Sequence, residues 1–113
     1  MTRTTFHLVP AEVWDATDPA VAYQALAYAR EGFIHCTDGI EALAATFERY
    51  YLGDPRPFVA LTVDLDALDV PWRFDVPGSP YPHIYGPIRR AAIVAVSPVL
   101  RGPDGRFEGL ASA

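Results

Sequence analysis

Three histidines, His7, His35 and His83, are the side chains best suited to ligand binding or proton transfer, and the sequence contains no others. Each lies in a short apolar run typical of a β-strand. Side chains alternate across a strand, so each imidazole points away from its apolar neighbours. Those neighbours are Phe6, Leu8, Ile34, Cys36 and Ile84. If they face the core, we expect the three imidazoles on the other side of the sheet or in one cleft, although any single one can be a hydrogen-bonded structural residue.

Polar residues near His35 extend this candidate site. Glu31 precedes the predicted strand and suits a general acid or base, or a ribose ligand, although a lone glutamate is often simply exposed. Thr37 lies directly before a predicted helix, whose N-terminal N–H groups favour anions, so His35 and the Thr37 hydroxyl are placed to hold a phosphate or ribose. Asp38 opposes this interpretation because its carboxylate can occupy the helix end, which would leave Thr37 as a helix-start residue.

Two aromatic residues are candidate stacking surfaces for a ligand. Tyr85 shares the face of His83, and the prolines on both sides stiffen that segment, either to preorganise a site or to make a bend. Trp14, in the first predicted helix, is either a stacking residue or part of the core.

The sequence favours neither a metal site nor a nucleophilic cysteine. His35 and Cys36 are neighbours that point to opposite faces, so they do not readily bind one ion. No His-x-x-x-His, Cys-x-x-Cys or His-Glu-x-x-His spacing is present. Alternation places Cys36 in the core, where burial raises a thiol pKa and makes it inert. We therefore expect no metal cofactor, with a metal-dependent activity as the remaining alternative.

The composition indicates one small acidic domain over residues 1–113. The net charge of −5, with no lysine, argues against general nucleic-acid binding, although the adjacent Arg89 and Arg90 suit one phosphate. No apolar run is long enough to span a membrane, and no signal peptide is visible. A single cysteine fits a reducing compartment, so we expect a cytoplasmic protein without a membrane partner, and the oligomeric state stays open.

Hydrophobic patterns predict more strands than helices, and the helices lie in the N-terminal half. Strands are predicted over residues 4–9, 33–36, 57–64, 71–76, 83–85 and 92–100. Pro98 makes the last of these an edge strand or the site of a bulge. A turn and tail follow over 101–113. The predicted class is α+β, with a mixed or antiparallel sheet partly covered by helices.

Two helices are clear in the pattern. The first covers residues 11–17, with Pro10 suited to its first turn. The second begins with Asp38 as N-cap in a capping box with Glu41, carries one apolar stripe to Tyr51 and ends at Gly53. The alanine-rich residues 20–30 also favour a helix by propensity.

Two blocks of the sequence resemble a known bacterial family. E-G-F-I-H-C-T at residues 31–37 and P-H-I-Y-G-P at 82–87, preceded by Phe6-His7 and Trp14, resemble the domain of unknown function 952 family. The resemblance runs from about residue 5 to 98. Members are small cytosolic bacterial proteins whose fold is similar to that of the ADP-ribosyltransferases. The resemblance therefore implies a split, strongly bent β-sheet with a nicotinamide-dinucleotide cleft between its halves.

The resemblance also implies roles for individual residues. Phe6-His7 looks like the first-strand motif of ADP-ribosyltransferases, whose histidine contacts a ribose hydroxyl. That motif continues with a glycine, where the nicotinamide amide reaches the backbone, and Leu8 stands there in this sequence. His35-Cys36-Thr37 looks like the second-strand His-x-Ser/Thr of RNA 2′-phosphotransferases. The Glu-x-Glu pair of toxin-type transferases is absent, and Asp75 is the nearest acid to replace it.

Three functions are open on these grounds. The first is an NAD-linked transferase or hydrolase, with NAD as cofactor and a nucleotide-type small molecule as partner. Its catalytic residues would be His35, Glu31 and Asp75, and its ligand-binding residues His7, Trp14, Thr37, His83 and Tyr85. The second is a non-catalytic module for a nucleotide or another small phosphorylated ligand. The third is an accessory or interaction protein with a vestigial cleft.

Overall fold

Seven β-strands form two antiparallel sheets within residues 3–111, the part of the chain that this computed structural model describes. They are β1 (Thr4–Pro10), β2 (Ile34–His35), β3 (Phe58–Asp64), β4 (Trp72–Phe74), β5 (Pro82–Ile84), β6 (Ile93–Arg101) and β7 (Phe107–Leu110). One sheet has the order β1-β3-β6-β7 and the other has the order β2-β5-β4. Six of these strands overlap the predicted ones.

The helices lie in the N-terminal half, as predicted. They are α1 (Ala11–Asp15), α2 (Tyr28–Glu31) and α3 (Ile40–Tyr50), and short 3₁₀ turns cover Leu65–Ala67 and Arg90–Ala92. α1 begins directly after Pro10, whose missing N–H is harmless at a helix start. α3 uses the predicted apolar stripe to bury Leu43 and Phe47. The α+β class is confirmed.

The two sheets meet at their edge strands and then separate. The Phe6 N–H donates to the Thr37 carbonyl at 2.9 Å, and the Thr37 N–H donates to the Phe6 carbonyl at 2.8 Å. Beyond this bridge β1 and β2 diverge, and the two sheets together form one strongly curled antiparallel layer. The split leaves an opening between the two edges, and this opening positions the candidate site.

The four-stranded sheet is covered on both faces. The main core draws on both sheets and contains Val9, Tyr23, Ile34, Cys36, Val59, Leu61, Val63, Leu65, Ile84, Ile88 and Ala92. On the opposite face of β3, α3 places the Phe47 ring edge-on against Phe58, with centroids 5.3 Å apart. Apolar side chains are therefore buried on both faces of this sheet.

The predicted orientation of β1 is wrong. Thr5, His7 and Val9 are the buried residues of β1, while Phe6 and Leu8 are only half-buried. The prediction assumed one apolar face and one polar face. Because both faces are covered, alternation alone does not identify the face that points into the main core, and the His7 imidazole is accommodated there by hydrogen bonds.

The predicted helix over residues 20–30 is also wrong except for its last turn. Tyr23 is almost fully buried and forms an isolated β-bridge with Ile88, with both N–H···O distances at 2.8 Å. This extended pairing is incompatible with a helix, so a long-range contact overrides the helix propensity of the alanines. Only Tyr28–Glu31 is helical, and it ends at Gly32 with a φ of 83°.

The predicted capping box of α3 does not form. Gly39 occupies the N-cap position with a φ of 83°, and no side chain caps the helix. The Asp38 carboxylate instead accepts from the Arg3 guanidinium at 2.6 Å, so a tertiary ion pair replaces the local cap. The helix ends at Tyr50, with Tyr51 as its C-cap, rather than at Gly53.

The C-terminal predictions also require correction. β6 lies inside its sheet, between β3 and β7, and its register shifts fall at other positions than Pro98. Pro98 accepts from the Ala111 N–H at 2.8 Å just beyond β7, so its missing donor affects only the end of that ladder. The predicted tail contains β7, and its residues 112–113 lie outside the described residues.

Candidate functional site

A cavity of about 710 Å³ lies where the edges of β1 and β2 diverge, and all three histidines line it. Its walls come from β1, β2 and the adjoining residues, with contributions from α1, α2 and α3. This volume is within the range of sites for small molecules and cofactors. The diverging edges therefore bring together the three imidazoles that the sequence placed on separate strands.

His7 has a protein partner on each ring nitrogen. Nδ1 is 2.7 Å from the His35 carbonyl oxygen, and Nε2 is 2.9 Å from the Tyr23 hydroxyl. A carbonyl only accepts, so Nδ1 carries the proton and Nε2 accepts from Tyr23. Burial lowers the pKa of His7 to about 4, against the hydrogen bond to His35, which raises it. The imidazole is neutral at pH 7, and it joins the two sheet edges where their backbones no longer reach each other.

His35 forms a carboxylate–imidazole pair with Glu31 at the cavity wall. Its Nε2 lies 3.2 Å from a Glu31 carboxylate oxygen. Alternation is correct for this strand, since Ile34 is buried and the His35 side chain is 55% exposed. Two of the three predicted catalytic residues, Glu31 and His35, therefore line the cavity side by side.

His83 forms a second pair, with Asp75. Its Nδ1 lies 2.6 Å from Oδ2 of Asp75, which also accepts from the Tyr85 hydroxyl. The other oxygen of Asp75 accepts from Arg73 Nε at 2.7 Å. These hydrogen bonds from Tyr85, Arg73 and His83 hold the pKa of Asp75 far below its ordinary value. Asp75 is a carboxylate already engaged by three donors.

The imidazoles of the two carboxylate–imidazole pairs contact each other, and both contact the Phe33 ring. Phe33 stacks on the His83 ring with centroids 4.1 Å apart and an interplanar angle of 17°. The His35 and His83 rings meet edge-on at 5.2 Å. His35 and His83 are directly paired in the β2–β5 register, which explains why two residues far apart in the chain share one surface.

The remaining predicted site residues are placed as follows. Thr37 is buried on the cavity wall, and its backbone forms the bridge to Phe6. Tyr85 and Asp75 contribute to the network behind His83 and are not among the cavity-lining residues of the described chain. Trp14 is also absent from that lining. Its ring packs on Tyr23 and lies under the Arg90 guanidinium, at 4.7 Å.

Cys36 lies on the inner side of the cavity wall and is almost fully buried. Burial raises the pKa of its thiol well above the ordinary value, so the thiolate is scarce at neutral pH. The predicted assignment to the core is confirmed.

The sequence analysis missed Arg30 of α2 and the whole contribution of α3 to the site. Arg30 of α2 and Arg49 of α3 line the cavity, as do Thr46 and Tyr50 of α3. The spacing of Thr46, Arg49 and Tyr50, at i, i+3 and i+4, was a readable signal, because it places them on one helix face beside the apolar stripe. The adjacent arginines proposed for a phosphate are used elsewhere, since Arg89 and Arg90 donate to backbone carbonyls.

Thr46 carries an unusual feature. Its Oγ1 is buried and has no hydrogen-bond partner within residues 3–111. A buried hydroxyl without a partner costs free energy, so such groups are rare in folded proteins. Thr46 lines the cavity, so this unpaired hydroxyl lies within the cavity wall.

The backbone of β1 is open beside the cavity. Phe6 directs its N–H and carbonyl outward to Thr37 rather than to β3. Hydrogen-bonding direction alternates along an antiparallel pair, so Leu8, two residues on, also directs its N–H and carbonyl to the outer edge. Leu8 lines the cavity, so one donor and one acceptor of the main chain face it.

Within the described residues, no group of three or more histidine, cysteine, aspartate or glutamate side chains is arranged to hold a metal ion. Over the same residues, no helix has the length and apolar character required to cross a membrane.

The fold and cavity define a small α+β protein with a histidine-lined cleft between two sheet edges. A family profile described as "Protein of unknown function (DUF952)" matches residues 8–96, and the chain belongs to this family. The resemblance seen in the two histidine blocks is thereby confirmed.

Solved structures of protein CC0527 from Caulobacter crescentus are similar to this chain. The crystal structure has a TM-score of 0.75 at 21% identity, and the match covers 94% of each chain. The solution NMR structure has a TM-score of 0.71 at 23% identity, covering 91% of this chain and 90% of that chain. At these identities the likeness shows the fold alone. No curated protein matches the sequence.

Proposed function

We propose that the cavity binds a nucleotide of the ADP-ribose class, with NAD as the first ligand to test. The observation that carries this proposal is the combination of groups in one cavity of about 710 Å³: arginines, imidazoles, aromatic rings and an open strand edge. A dinucleotide requires each of these for a different part of its structure. The likeness of Phe6-His7 to the first-strand motif of ADP-ribosyltransferases supports the same ligand.

The arginines suit the diphosphate. Arg30 and Arg49 reach the cavity from two different helices, and neither forms an ion pair within residues 3–111. Guanidinium groups bind phosphate oxygens through charge-assisted hydrogen bonds.

The open edge of β1 suits a carboxamide. A primary amide carries one acceptor and two donors, which complement the N–H and carbonyl of Leu8. The Leu8 side chain stands roughly perpendicular to the sheet, while its backbone groups lie in the plane of the sheet. The leucine therefore leaves this edge accessible, although a glycine stands there in the motif that it resembles.

Aromatic rings at the cavity suit the base and the nicotinamide ring. Phe33 is half-buried beside the imidazoles, and Tyr50 is 67% exposed on α3. Exposed aromatic residues at a cavity provide stacking surfaces that a planar ligand can cover.

Ribosyl transfer or hydrolysis is the second candidate function, and the Glu31–His35 pair favours it. Breaking the bond between ribose and nicotinamide creates an oxocarbenium-like state with positive charge at C1′. A carboxylate in a partly enclosed site stabilises such charge. Glu31 lies on the cavity wall and fits this role, whereas Asp75 lies behind His83.

Binding is tested by following thermal and urea unfolding with NAD, ADP-ribose and inorganic phosphate. A ligand at 100 times its Kd adds about 2.7 kcal/mol of stability. Arg49→Gln removes a charged hydrogen bond and is expected to weaken NAD binding about tenfold or more. Arg106→Gln is the matched control, because Arg106 pairs with Glu48 and does not line the cavity. Absence of stabilisation by all three ligands would refute the proposal.

A further inference from the structure

We propose that His83 is the general base for a water molecule that attacks a bound N-ribosyl nucleotide, with Asp75 as its positioning residue. This inference rests on the proposed function. It adds that water is the acceptor of the ribosyl group and that His83 takes the proton from it. The sequence offered Asp75 as the catalytic acid and His83 as a ligand contact. The contacts in the structure favour His83 as the base and Asp75 as the residue that positions it.

The hydrogen bonds of Asp75 define the proton positions on His83. An ionised carboxylate only accepts, so the 2.6 Å contact requires a proton on Nδ1 of His83. The neutral ring then has its lone pair on Nε2. Within residues 3–111, Nε2 has no protein partner, in contrast to Nε2 of His7, which accepts from Tyr23. His35 also keeps one ring nitrogen free within the described residues, but the His83 ring is held more firmly, since its side chain is 16% exposed against 55% for His35. His83 is therefore the better placed of the two imidazoles to accept a proton.

The ring is held from several sides. β5 is the central strand of its sheet, so His83 is paired with His35 of β2 on one side and with Arg73 of β4 on the other. Phe33 stacks on the ring, and the His83 side chain is only 16% exposed. A base fixed in this way needs little reorganisation before proton transfer.

Of the residues in this hydrogen-bonded network, His83 borders the cavity and the others lie on the side away from it. His83 lines the cavity, whereas Asp75, Arg73 and Tyr85 are not among its lining residues in the described chain. The Arg73 guanidinium lies over the Tyr85 ring at 4.3 Å and closes the far side of the network. The charged and titratable groups around His83 are thus Asp75, Arg73 and Tyr85 behind it, and His35 with Glu31 beside it.

The chemistry of the bond matches a single base. Water attacks C1′ of the ribose, and the C1′–N bond breaks with its electron pair passing to the nicotinamide nitrogen. The positively charged pyridinium becomes neutral nicotinamide, so this leaving group needs no proton. The proton released by water goes to Nε2 of His83 and then to solvent. The reaction converts NAD and water into ADP-ribose, nicotinamide and a proton.

The roles are tested by incubating the full chain with NAD and measuring free nicotinamide by chromatography. His83→Gln is expected to lower kcat by about 100-fold or more, the usual contribution of a general base, with KM for NAD changed less than threefold. Asp75→Asn is expected to lower kcat at an unchanged KM. Asp69→Asn, at an exposed carboxylate outside the cavity, is the matched control and is expected to keep the full rate.

A measurement without ligand tests the dyad itself. Long-range ¹H–¹⁵N correlation spectra report which nitrogen of His83 is protonated. The wild-type protein is expected to show the Nδ1–H tautomer, and Asp75→Asn is expected to shift the population toward Nε2–H. If the Asp75–His83 pair were purely structural, Asp75→Asn would change the stability of the protein without a linked change in the His83 tautomer and in kcat.

The outcomes separate this inference from the proposed function. NAD binding together with His83-dependent release of nicotinamide supports both. NAD binding without nicotinamide release, release that His83→Gln leaves intact, or a wild-type Nε2–H tautomer overturns the assignment of His83 and leaves the binding function standing. Absence of NAD binding overturns the binding function, and the hydrolytic role with it.

Discussion

His7 and His83 line one cavity, yet their surroundings assign them opposite roles. His7 is buried on β1, and both of its ring nitrogens are hydrogen-bonded to protein groups. His83 is bonded through Nδ1 to a carboxylate, and its Nε2 has no protein partner within residues 3–111. An imidazole whose two nitrogens are both engaged holds structure together, whereas one engaged on a single side is oriented for chemistry. Residue type and strand position do not distinguish the two cases.

The partner of each Nδ1–H sharpens this contrast. His7 donates to a neutral backbone carbonyl in the interior, where burial disfavours the imidazolium and lowers the pKa of His7 to about 4. His83 donates to Asp75, whose pKa is lowered by hydrogen bonds from Tyr85, Arg73 and His83, so a negative charge stands permanently behind that ring. The molecule therefore keeps one imidazole neutral and places another against a fixed anion.

The largest expected effect of the contrast is on stability. His7→Leu removes one buried and one part-buried hydrogen bond and leaves the Tyr23 hydroxyl and the His35 carbonyl without these partners, so we expect a loss of about 3 kcal/mol in the free energy of unfolding. His35→Leu, at a largely exposed side chain, is the comparison variant and is expected to cost about 0.5 kcal/mol or less. Urea titration measures both. Equal losses in the two variants would contradict the division into structural and available histidines.

The pH dependence of stability is the second expected effect. The pKa of His7 is about 4 in the folded state and about 6.5 when unfolded, so between these values the unfolded chain binds more protons and stability rises with pH. The stability that His7 contributes is fully present above the unfolded-state pKa of about 6.5 and is lost as the pH falls toward the folded-state pKa of about 4. Between pH 7 and pH 5 we expect a loss of about 2 kcal/mol.

The test of this pH effect is urea unfolding at both pH values for the wild-type protein and for His7→Leu. The variant lacks the titrating group, so its unfolding free energy should change less over the same interval. If the unfolding free energy of His7→Leu changed with pH as steeply as that of the wild-type protein, the pH effect would come from other residues.

The smallest expected effect concerns the exposed pair. Glu31→Gln neutralises the partner of His35 at the solvent-exposed cavity wall, where ion pairs contribute little because water and salt screen them. We expect the unfolding free energy to change by less than about 0.5 kcal/mol, as for Glu12→Gln at the Glu12–Arg56 surface pair. A loss above about 1 kcal/mol in the first variant alone would place His35 with His7 among the structural histidines.

Much of the fold was predictable, because strands with regular apolar patterns carry their own signal. β1, β3 and β6 lie close to their predicted positions, and α3 carries the predicted apolar stripe. Two of the failures have a cause in common. The Tyr23–Ile88 pairing and the Arg3–Asp38 ion pair connect distant segments, and each overrides a local preference for a helix or for a cap.

The candidate site was predictable in composition and less so in arrangement. The sequence placed Glu31 and His35 in one candidate site, and the structure brings their side chains to 3.2 Å because the two residues are only four positions apart. It indicated Asp75 as an isolated acid, since nothing local shows that β4 and β5 pair in a register that brings Asp75 to His83.

The sequence by itself determined which reactive groups this protein has and that they lie on short strands, because side-chain chemistry and strand alternation are local properties. Only the tertiary structure decided that β1 turns His7 inward, that Asp75 engages His83, and that α3 presents Arg49 and Thr46 to the same cavity. The physical reason is that both faces of the four-stranded sheet are covered, and that burial and hydrogen-bond partners are set by contacts between segments far apart in the chain.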